Sequence, residues 1–324
     1  MEQRRLGATG LWVSRLALGT MTWGRDTDED DASSQLKAYV EAGGTMLDTA
    51  DVYVDGESER VVGRLLQGVV RREDVVVATK AVSRRGQQRD RDASRRHLLN
   101  ALDASLERLQ TSYVDLWQLH AWDPHTPIEE TLAALDTAVS SGRARYVGIS
   151  NYNGWQTAKA ATWQQAWPGR ARIVSTQMEY SLLQRGIERE VVPAAQDLGV
   201  GILPWSPLGR GVLTGKYRSG TPADSRGASP DYQRFVAPYL TERATSIVGA
   251  VMTAADGLGV SPLAVALAWV RDRPGVVAPI VGARTSAQLK GSLDADDVTL
   301  PDEIRDALDD VSTPKSGYPE TLRR

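Results

Sequence analysis

The sequence predicts an α/β fold and, within that class, a (β/α)8 TIM barrel in which eight parallel strands are each followed by a helix. Short β-rich segments alternate with amphipathic helical segments, which is typical of βα units around a parallel sheet. The strand segments number eight, and no linker or change of composition divides the 324 residues. Length alone leaves two domains of about 150 residues open, but barrels of about 200 to 400 residues form one unit. We therefore expect one domain over residues 1–324.

Each predicted strand is a short, nearly continuous apolar run, as expected for parallel strands that are buried on both faces. The predicted strands are Arg15–Thr20, Thr45–Ala50, Asp74–Lys80, Tyr113–His120, Ala144–Asn151, Arg172–Tyr180, Val200–Pro207 and Val276–Gly282.

The segments between these strands carry helical periodicity. In Ser94–Gln110 the leucines at 98, 102, 106 and 109 form one apolar stripe. In Pro127–Ser141 the proline suits the first turn, the two following glutamates suit the helix N-terminus, and Gly142 suits the end. Both segments are predicted helices.

Two segments fall outside the alternation. Leu6–Val13, with glycines at 7 and 10, predicts a β-hairpin ahead of the first barrel strand, where it would cap the barrel floor. Leu208–Pro238 is rich in Gly, Pro and Ser. So long a connection inside a domain is uncommon and is usually functional.

Composition excludes several classes of site. The chain has no cysteine, which rules out disulfides, thiolate catalysis and cysteine-based metal sites. Its three histidines are not clustered, so we expect no metal. A net charge of −3 gives no overall attraction for nucleic acid or anionic lipid. No apolar run suits a membrane span or a secretory signal, and we expect a cytoplasmic protein.

Four residues at predicted strand ends could carry chemistry. Asp48, Lys80 and His120 end the second, third and fourth strands, and Tyr53 follows five residues after the aspartate. In this fold, active sites form at the carboxyl ends of the strands, so the four side chains are expected to meet. A tyrosine beside an ammonium group is a proton donor suited to the alkoxide that forms when a hydride reduces a carbonyl. Lys80 would supply the positive charge, the aspartate would hold the lysine, and the histidine would orient the carbonyl.

Taken singly, each residue has a structural interpretation. Asp48 could cap a helix, Tyr53 could be a loop aromatic, Lys80 a solvated strand end and His120 a buried polar residue with its hydrogen bonds satisfied. Their occurrence together at adjacent strand ends favours the chemical interpretation.

Several motifs, in a fixed order, resemble the aldo-keto reductase family. They are GGTMLDTADVY (43–53), VVVATK (75–80), DLWQLH (115–120), GISN (148–151), STQMEYSLL (175–183), PWSPLGRGVLTGKY (204–217) and GARTSAQL (282–289). The resemblance covers nearly the whole chain. It implies that Asp48, Tyr53, Lys80 and His120 form the catalytic tetrad of an oxidoreductase that reduces aldehyde and ketone carbonyls with NADPH. The glycine-rich motif and the GAR motif are similar to a bacterial branch that includes general aldehyde reductases and deoxysugar ketoreductases.

The resemblance also implies a cofactor site built without a Rossmann domain. No G-x-G-x-x-G follows a strand, and the glycines at 209, 211 and 215 have the wrong spacing for one. Ser150, Asn151 and Gln177 would bind the nicotinamide amide, and Trp205 would stack on its ring. Residues 206–216 would cover the pyrophosphate, with Lys216 contacting a phosphate. The implied cofactor-binding residues are Thr20, Met21, Asp48, Ser150, Asn151, Gln177, Trp205, Ser206, Pro207, Leu208, Gly209, Gly211, Lys216, Gly282, Arg284, Gln288 and Ser292.

Arg284 stands where the family binds the 2′-phosphate of NADPH, a group that a guanidinium suits well. Gln288 keeps its family position. Gly291 and Ser292 depart from the Glu-Asn that many relatives have there, so the adenine would be held by fewer side-chain contacts.

The sequence says less about which residues line the substrate pocket. Trp23, Tyr53, His120 and Trp122 are expected to line it. Whether the tail Ser312–Arg324 closes over the pocket stays open, as do the substrate and the oligomeric state. A second function is open as well: potassium-channel β subunits in the same family keep the tetrad, so a cofactor-sensing regulatory subunit would present the same motifs.

Overall fold

Eight parallel strands form a barrel in the computed structural model, which confirms the predicted fold. The structure describes residues 1–84, 86–87, 89–218, 220–222, 225, 227–229, 233–315, 317–318 and 321. The barrel strands are β3 (Ala17–Gly19), β4 (Met46–Asp48), β5 (Val76–Ala81), β6 (Val114–Leu119), β7 (Ala144–Ser150), β8 (Ile173–Glu179), β9 (Gly201–Trp205) and β10 (Ile280–Val281). They pair in the order β10-β3-β4-β5-β6-β7-β8-β9, and a parallel bridge between Ile202 and Val276 links the two ends.

Helices surround this barrel. The described α-helices are α1 (Glu29–Glu41), α2 (Glu57–Gly68), α3 (Arg95–Leu109), α4 (Ile128–Ser140), α5 (Gly154–Gln165), α6 (Val191–Asp197), α7 (Gln233–Val236), α8 (Glu242–Leu258), α9 (Pro262–Arg271), α10 (Ser286–Asp294) and α11 (Asp302–Ser312). Among the described residues no single helix has the length and apolar character of a membrane span, although α8 and α9, bent by 102°, meet that test together by length and composition.

The predicted N-terminal hairpin is present. Strands β1 (Gln3–Arg5) and β2 (Trp12–Ser14) pair antiparallel. Leu6 is buried with apolar residues of the barrel interior, and the Ala8 N–H donates to the carbonyl of Gly199 at 2.8 Å. At Gly7, where φ is +58°, a Cβ would lie 2.5 Å from the Val174 carbonyl oxygen, so only glycine fits. The hairpin therefore seals the amino-terminal end of the barrel.

The observed bounds of every predicted barrel strand differ from the prediction by one or more residues; one strand, one helix and one connection illustrate the differences. Only Ile280–Val281 of the predicted last strand forms ladder pairs with β3. Helix α4 begins one residue after Pro127, whose extended backbone caps it. The predicted connection Leu208–Pro238 contains a 3-10 segment (Gly209–Thr214) and the short helix α7. Residues 219, 223, 224, 226 and 230–232 of this connection lie outside the described residues.

The described part of the tail lies away from the cleft. Arg185 donates to the Ser312 hydroxyl at 2.8 Å, and Arg243 donates to the carbonyls of residues 312 and 313. The rest of the tail that was considered as a cover for the pocket, residues 316, 319, 320 and 322–324, lies outside the described residues.

A buried ion pair joins α2 and α3 behind the carboxyl end of β5. Glu59 is fully buried; its carboxylate accepts from Arg108 at 2.7 Å and from the Thr79 hydroxyl. Asp51 lies close by, and one of its carboxyl oxygens is buried without a hydrogen-bond partner. Burial and the negative charge of Glu59 raise the pKa of Asp51 to about 7, although Arg108 and Lys80 act in the opposite direction.

This raised pKa predicts a pH-dependent stability. The carboxyl of Asp51 ionises near pH 7 in the folded protein but near 3.8 when exposed, so its cost to stability grows as the pH rises through this window. Asp51→Asn should therefore raise the Tm by more at pH 8 than at pH 4. Thermal unfolding followed by circular dichroism at both pH values measures this, with the exposed Asp55→Asn as control. An equal change of Tm at the two pH values would contradict it.

Candidate active site

Three of the four predicted catalytic residues come from neighbouring parallel strands. Asp48 ends β4, Lys80 is the last residue but one of β5, and His120 follows β6 directly. Since parallel strands present their carboxyl ends on one face, these side chains converge there. Tyr53 joins them from a 3-10 turn after β4, in which its backbone N–H donates to the carbonyl of Ala50 at 3.1 Å.

Lys80 connects this group. Its ammonium donates to the Asp48 carboxylate at 2.7 Å, to the Thr49 carbonyl at 2.9 Å and to the Tyr53 hydroxyl at 3.3 Å. The side chain of Lys80 is fully buried and that of Asp48 almost so. Burial alone would lower the pKa of Lys80, but the adjacent carboxylate and phenol hold that pKa above its usual value. The lysine therefore carries a positive charge beside the tyrosine hydroxyl at neutral pH.

The turn that carries Tyr53 has an unusual backbone. Val54 and Asp55, directly after it, have φ angles of 49° and 52°, a left-handed conformation that non-glycine residues adopt rarely. The Tyr53 ring meets the His120 ring edge-on, with 6.0 Å between centroids, and the Lys80 nitrogen lies 4.9 Å from the centre of the tyrosine ring. A tyrosine hydroxyl, an ammonium and an imidazole thus face one space.

That space opens into a cleft of about 470 Å³. Fifteen of the seventeen residues predicted to bind the cofactor line it. They are Met21, Asp48, Ser150, Asn151, Gln177, Trp205, Ser206, Pro207, Leu208, Gly211, Lys216, Gly282, Arg284, Gln288 and Ser292. The cleft starts at Tyr53 and His120 and ends at Arg284 and the residues of α10.

Amide and hydroxyl groups in the middle of the cleft form a continuous network. Gln177 donates to Asp48 at 2.8 Å, and its own backbone carbonyl accepts from Ser150 at 2.9 Å. Asn151 donates to the His120 carbonyl at 3.0 Å and accepts from the Trp205 indole N–H at 3.0 Å. The network fixes the indole ring relative to the tetrad before any ligand binds.

Three cationic side chains line the cleft, those of Arg210, Lys216 and Arg284. A Cβ on Gly211, where φ is +90°, would lie 3.3 Å from the Lys216 ammonium, so the absence of a side chain lets this ammonium approach the loop backbone. At the far end, the backbone N–H of Arg284 donates to the Gln288 side chain at 3.0 Å. The cleft therefore joins an uncharged amide region to a region that suits anionic groups.

Five predicted site residues are not among those that line the cleft; one of them, Lys80, is fully buried but contacts Asp48 and Tyr53, which do line it. Trp23 is wrong as a wall of the substrate pocket, since its ring is fully buried and its indole N–H donates to Gln35 at 3.2 Å. Thr20 is also buried, behind Asp48, whose carbonyl accepts its backbone N–H at 3.0 Å. Gly209 is buried beneath the loop. Trp122 lies outside the cleft lining and packs edge-on against other aromatic rings.

Sequence reasoning missed a clamp beside the cleft. Arg210 forms a bidentate pair with Glu179 at 2.8 and 2.7 Å, and it donates to the carbonyl of Phe235. Its guanidinium lies 3.8 Å from the centre of the Phe235 ring, which is stacked on Trp205. The other lining residues that were missed are Gly19, Thr22, Thr214, Leu263, Ile280 and Val281. The signal in the sequence was an arginine between two glycines, within the long connection 208–238 that also holds the chain's one phenylalanine.

Known proteins resemble the chain over nearly its whole length. The profile of the Aldo/keto reductase family matches residues 15–313. The chain is 38% identical to the uncharacterized oxidoreductase YrpG of Bacillus subtilis over 96% of both chains. It is 34% identical to a probable voltage-gated potassium channel subunit beta of Arabidopsis thaliana over the full length of both. It is 33% identical to the versiconal hemiacetal acetate reductase of Aspergillus parasiticus, over 98% of this chain and 99% of that one. The chain belongs to the aldo/keto reductase family.

Proposed function

We propose that the protein reduces aldehyde or ketone carbonyls to alcohols with NADPH, and that Tyr53 is the general acid. The observation that carries this proposal is the contact of a buried, charged Lys80 with the Tyr53 hydroxyl at 3.3 Å, at the inner end of an open cleft. A phenol beside a buried cation releases its proton more easily than one in water. A small-molecule carbonyl compound is the expected partner.

The chemistry of the cleft fits a nicotinamide dinucleotide. Ser150, Asn151 and Gln177 offer amide and hydroxyl groups for a carboxamide, and the Trp205 ring offers a flat surface for the nicotinamide. Lys216 and Arg284 suit its phosphates. A bound NADPH would supply the hydride for reduction.

The chain's own residues divide the remaining work. The His120 ring would donate a hydrogen bond to the substrate oxygen and so hold the carbonyl against Tyr53. Tyr53 would give its hydroxyl proton to that oxygen as negative charge develops there. Lys80 would stabilise the resulting phenolate, and Asp48 would hold the lysine in place at 2.7 Å. Bulk solvent would then return the proton to the tyrosine through the open cleft.

A second candidate is a cofactor-sensing regulatory subunit without significant turnover. It is favoured by the full-length similarity to probable potassium channel β subunits of Arabidopsis thaliana and Oryza sativa. Steady-state oxidation of NADPH with a panel of aldehydes and ketones separates the two functions. Turnover of a panel member by the wild type at several per second, lost in Tyr53→Phe, supports the enzyme; tight NADPH binding without turnover supports the regulatory subunit.

Tyr53→Phe should reduce the rate of carbonyl reduction by about 100-fold or more, because only the acidic hydroxyl is removed. NADPH affinity should change little, since the ring stays. Rates under saturating cofactor, together with fluorescence titration of NADPH, measure both quantities. A variant that kept most of the wild-type turnover would show that Tyr53 is not the acid.

Lys80→Met should lower the reduction rate sharply and move alcohol oxidation to higher pH, because the phenolate loses its neighbouring cation. The measurement is kcat against pH in both directions. Since Lys80→Met leaves the Asp48 carboxylate buried without its partner, the double variant Asp48→Asn/Lys80→Met separates lost catalysis from lost stability. If the oxidation profile of both variants matched that of the wild type, Lys80 would have only a structural role.

Arg284→Ala should weaken NADPH binding by about ten- to a hundredfold and NADH binding much less, because only NADPH carries the 2′-phosphate. Titrating both cofactors by fluorescence quenching tests this. Lys290→Ala, an exposed change on α10 six residues after Arg284, serves as the control. Equal losses for the two cofactors would rule out a 2′-phosphate contact.

A further inference from the structure

An exposed tryptophan stands at the start of α5. Trp155 is 56% exposed. The ring of Trp155 meets the ring of Trp122 edge-on with 5.3 Å between centroids, and the Trp122 ring in turn meets the buried Tyr152 at 5.2 Å. The two tryptophans present one aromatic surface to solvent, which we call the aromatic shelf.

The shelf lies on the face of the barrel that carries the candidate active site. Trp122 is two residues beyond His120, so their Cα atoms are at most about 7.6 Å apart. Trp155 follows four residues after Asn151, a cleft residue whose side chain donates to the His120 carbonyl at 3.0 Å. The segments that follow β6 and β7, which lead to the two tryptophans, are therefore joined by a hydrogen bond at the histidine that would hold the carbonyl.

The loop that carries Trp122 is held rigidly. The next residue, Asp123, has a fully buried carboxylate. It accepts hydrogen bonds from the Ala93 and His125 N–H groups, the Thr126 hydroxyl and the Arg89 guanidinium, all between 2.6 and 2.9 Å. Burial alone would raise the pKa of Asp123, but these donors hold it at about 2. Arg91 also donates to the Trp122 carbonyl at 3.1 Å.

The second tryptophan is fixed from its own helix. Asn153 and Gln156 form a reciprocal capping box around the first turn of α5, with hydrogen bonds of 3.0 and 2.9 Å. A rigid aromatic surface binds a planar group at a low cost in conformational entropy. Both halves of the shelf have this property.

We propose that the aromatic shelf binds the distal aromatic ring of the substrate, so that the protein favours extended aryl carbonyl compounds. The proposal rests on the proposed reductase function. One exposed indole offers on the order of 150 Å², far below the about 800 Å² that each partner buries in a stable protein interface. A small planar group, rather than another protein, matches this size.

Three aldehydes that share one reacting ring test the proposal. Benzaldehyde has no distal ring, biphenyl-4-carbaldehyde adds a distal aromatic ring, and 4-cyclohexylbenzaldehyde adds a saturated ring. For Trp155→Ala we expect kcat/KM for the biphenyl aldehyde to fall about two- to tenfold, the change typical of one aromatic contact. The fall should come mainly through KM, because the contact is made equally before and during reaction.

The matched controls are part of the same experiment. Benzaldehyde should be reduced at an unchanged rate by Trp155→Ala, the cyclohexyl compound should lose less than the biphenyl one, and Trp155→Phe should keep most of the preference. Trp167→Ala removes a tryptophan that is 64% exposed just beyond the other end of α5 and should change nothing. Equal losses for benzaldehyde and the biphenyl aldehyde, no loss for either, or the same loss in Trp167→Ala would overturn the proposal.

A binding measurement separates the shelf from the reductase function. If the wild type reduces none of the three aldehydes and no member of the wider carbonyl panel, the reductase function fails, and calorimetric titration of the NADP⁺-loaded protein with biphenyl-4-carboxylate then tests the shelf. Tighter binding by the wild type than by Trp155→Ala, in a similar two- to tenfold ratio, supports the shelf. Equal affinities, or no binding to the wild type, overturn it.

Discussion

The arrangement of the site depends on one buried ion pair. Lys80 and Asp48 lie within 2.7 Å of each other with almost no contact with solvent. Removing either partner would leave an uncompensated charge inside the barrel, a change that is strongly destabilising in buried pairs. The Asp48 carboxylate also accepts a hydrogen bond from the Gln177 side chain, and the Lys80 ammonium also donates one to the Tyr53 hydroxyl. The pair therefore fixes the positions of the proton donor and of the amide region through one set of contacts.

Much of the fold and part of the site could be predicted because they follow repetitive rules. Few folds other than a barrel accommodate eight apolar strands that alternate with amphipathic helices. In a barrel the carboxyl ends of the strands bring Asp48, Lys80 and His120 to one face. What could not be predicted depends on side-chain direction. Trp23 follows a strand end just as His120 does, but its ring turns into the core between the barrel and its helices. Beyond the last residue of a strand, the hydrophobic periodicity does not indicate whether a side chain points into the core or into the cleft.

The clamp formed by Arg210 shows a different limit. Its partners Glu179 and Phe235 lie 31 and 25 residues away in the sequence, so no local pattern indicates the contact. Its backbone is also left-handed, with φ at 59°, which an arginine adopts only where its surroundings demand it. Here the bidentate pair and the stacked ring supply that demand. Long connections of this kind hold side chains by contacts that only the folded chain makes.

The sealed floor of the barrel has a practical consequence. The hairpin closes one end of the cylinder, while the cleft lies at the carboxyl ends of the strands, on the opposite side. A support or a fused protein attached near the exposed Trp12 of the hairpin would stand a full strand length away from the mouth. The protein could then be immobilised on a surface in a single orientation, with small molecules still free to diffuse in and out on the opposite side.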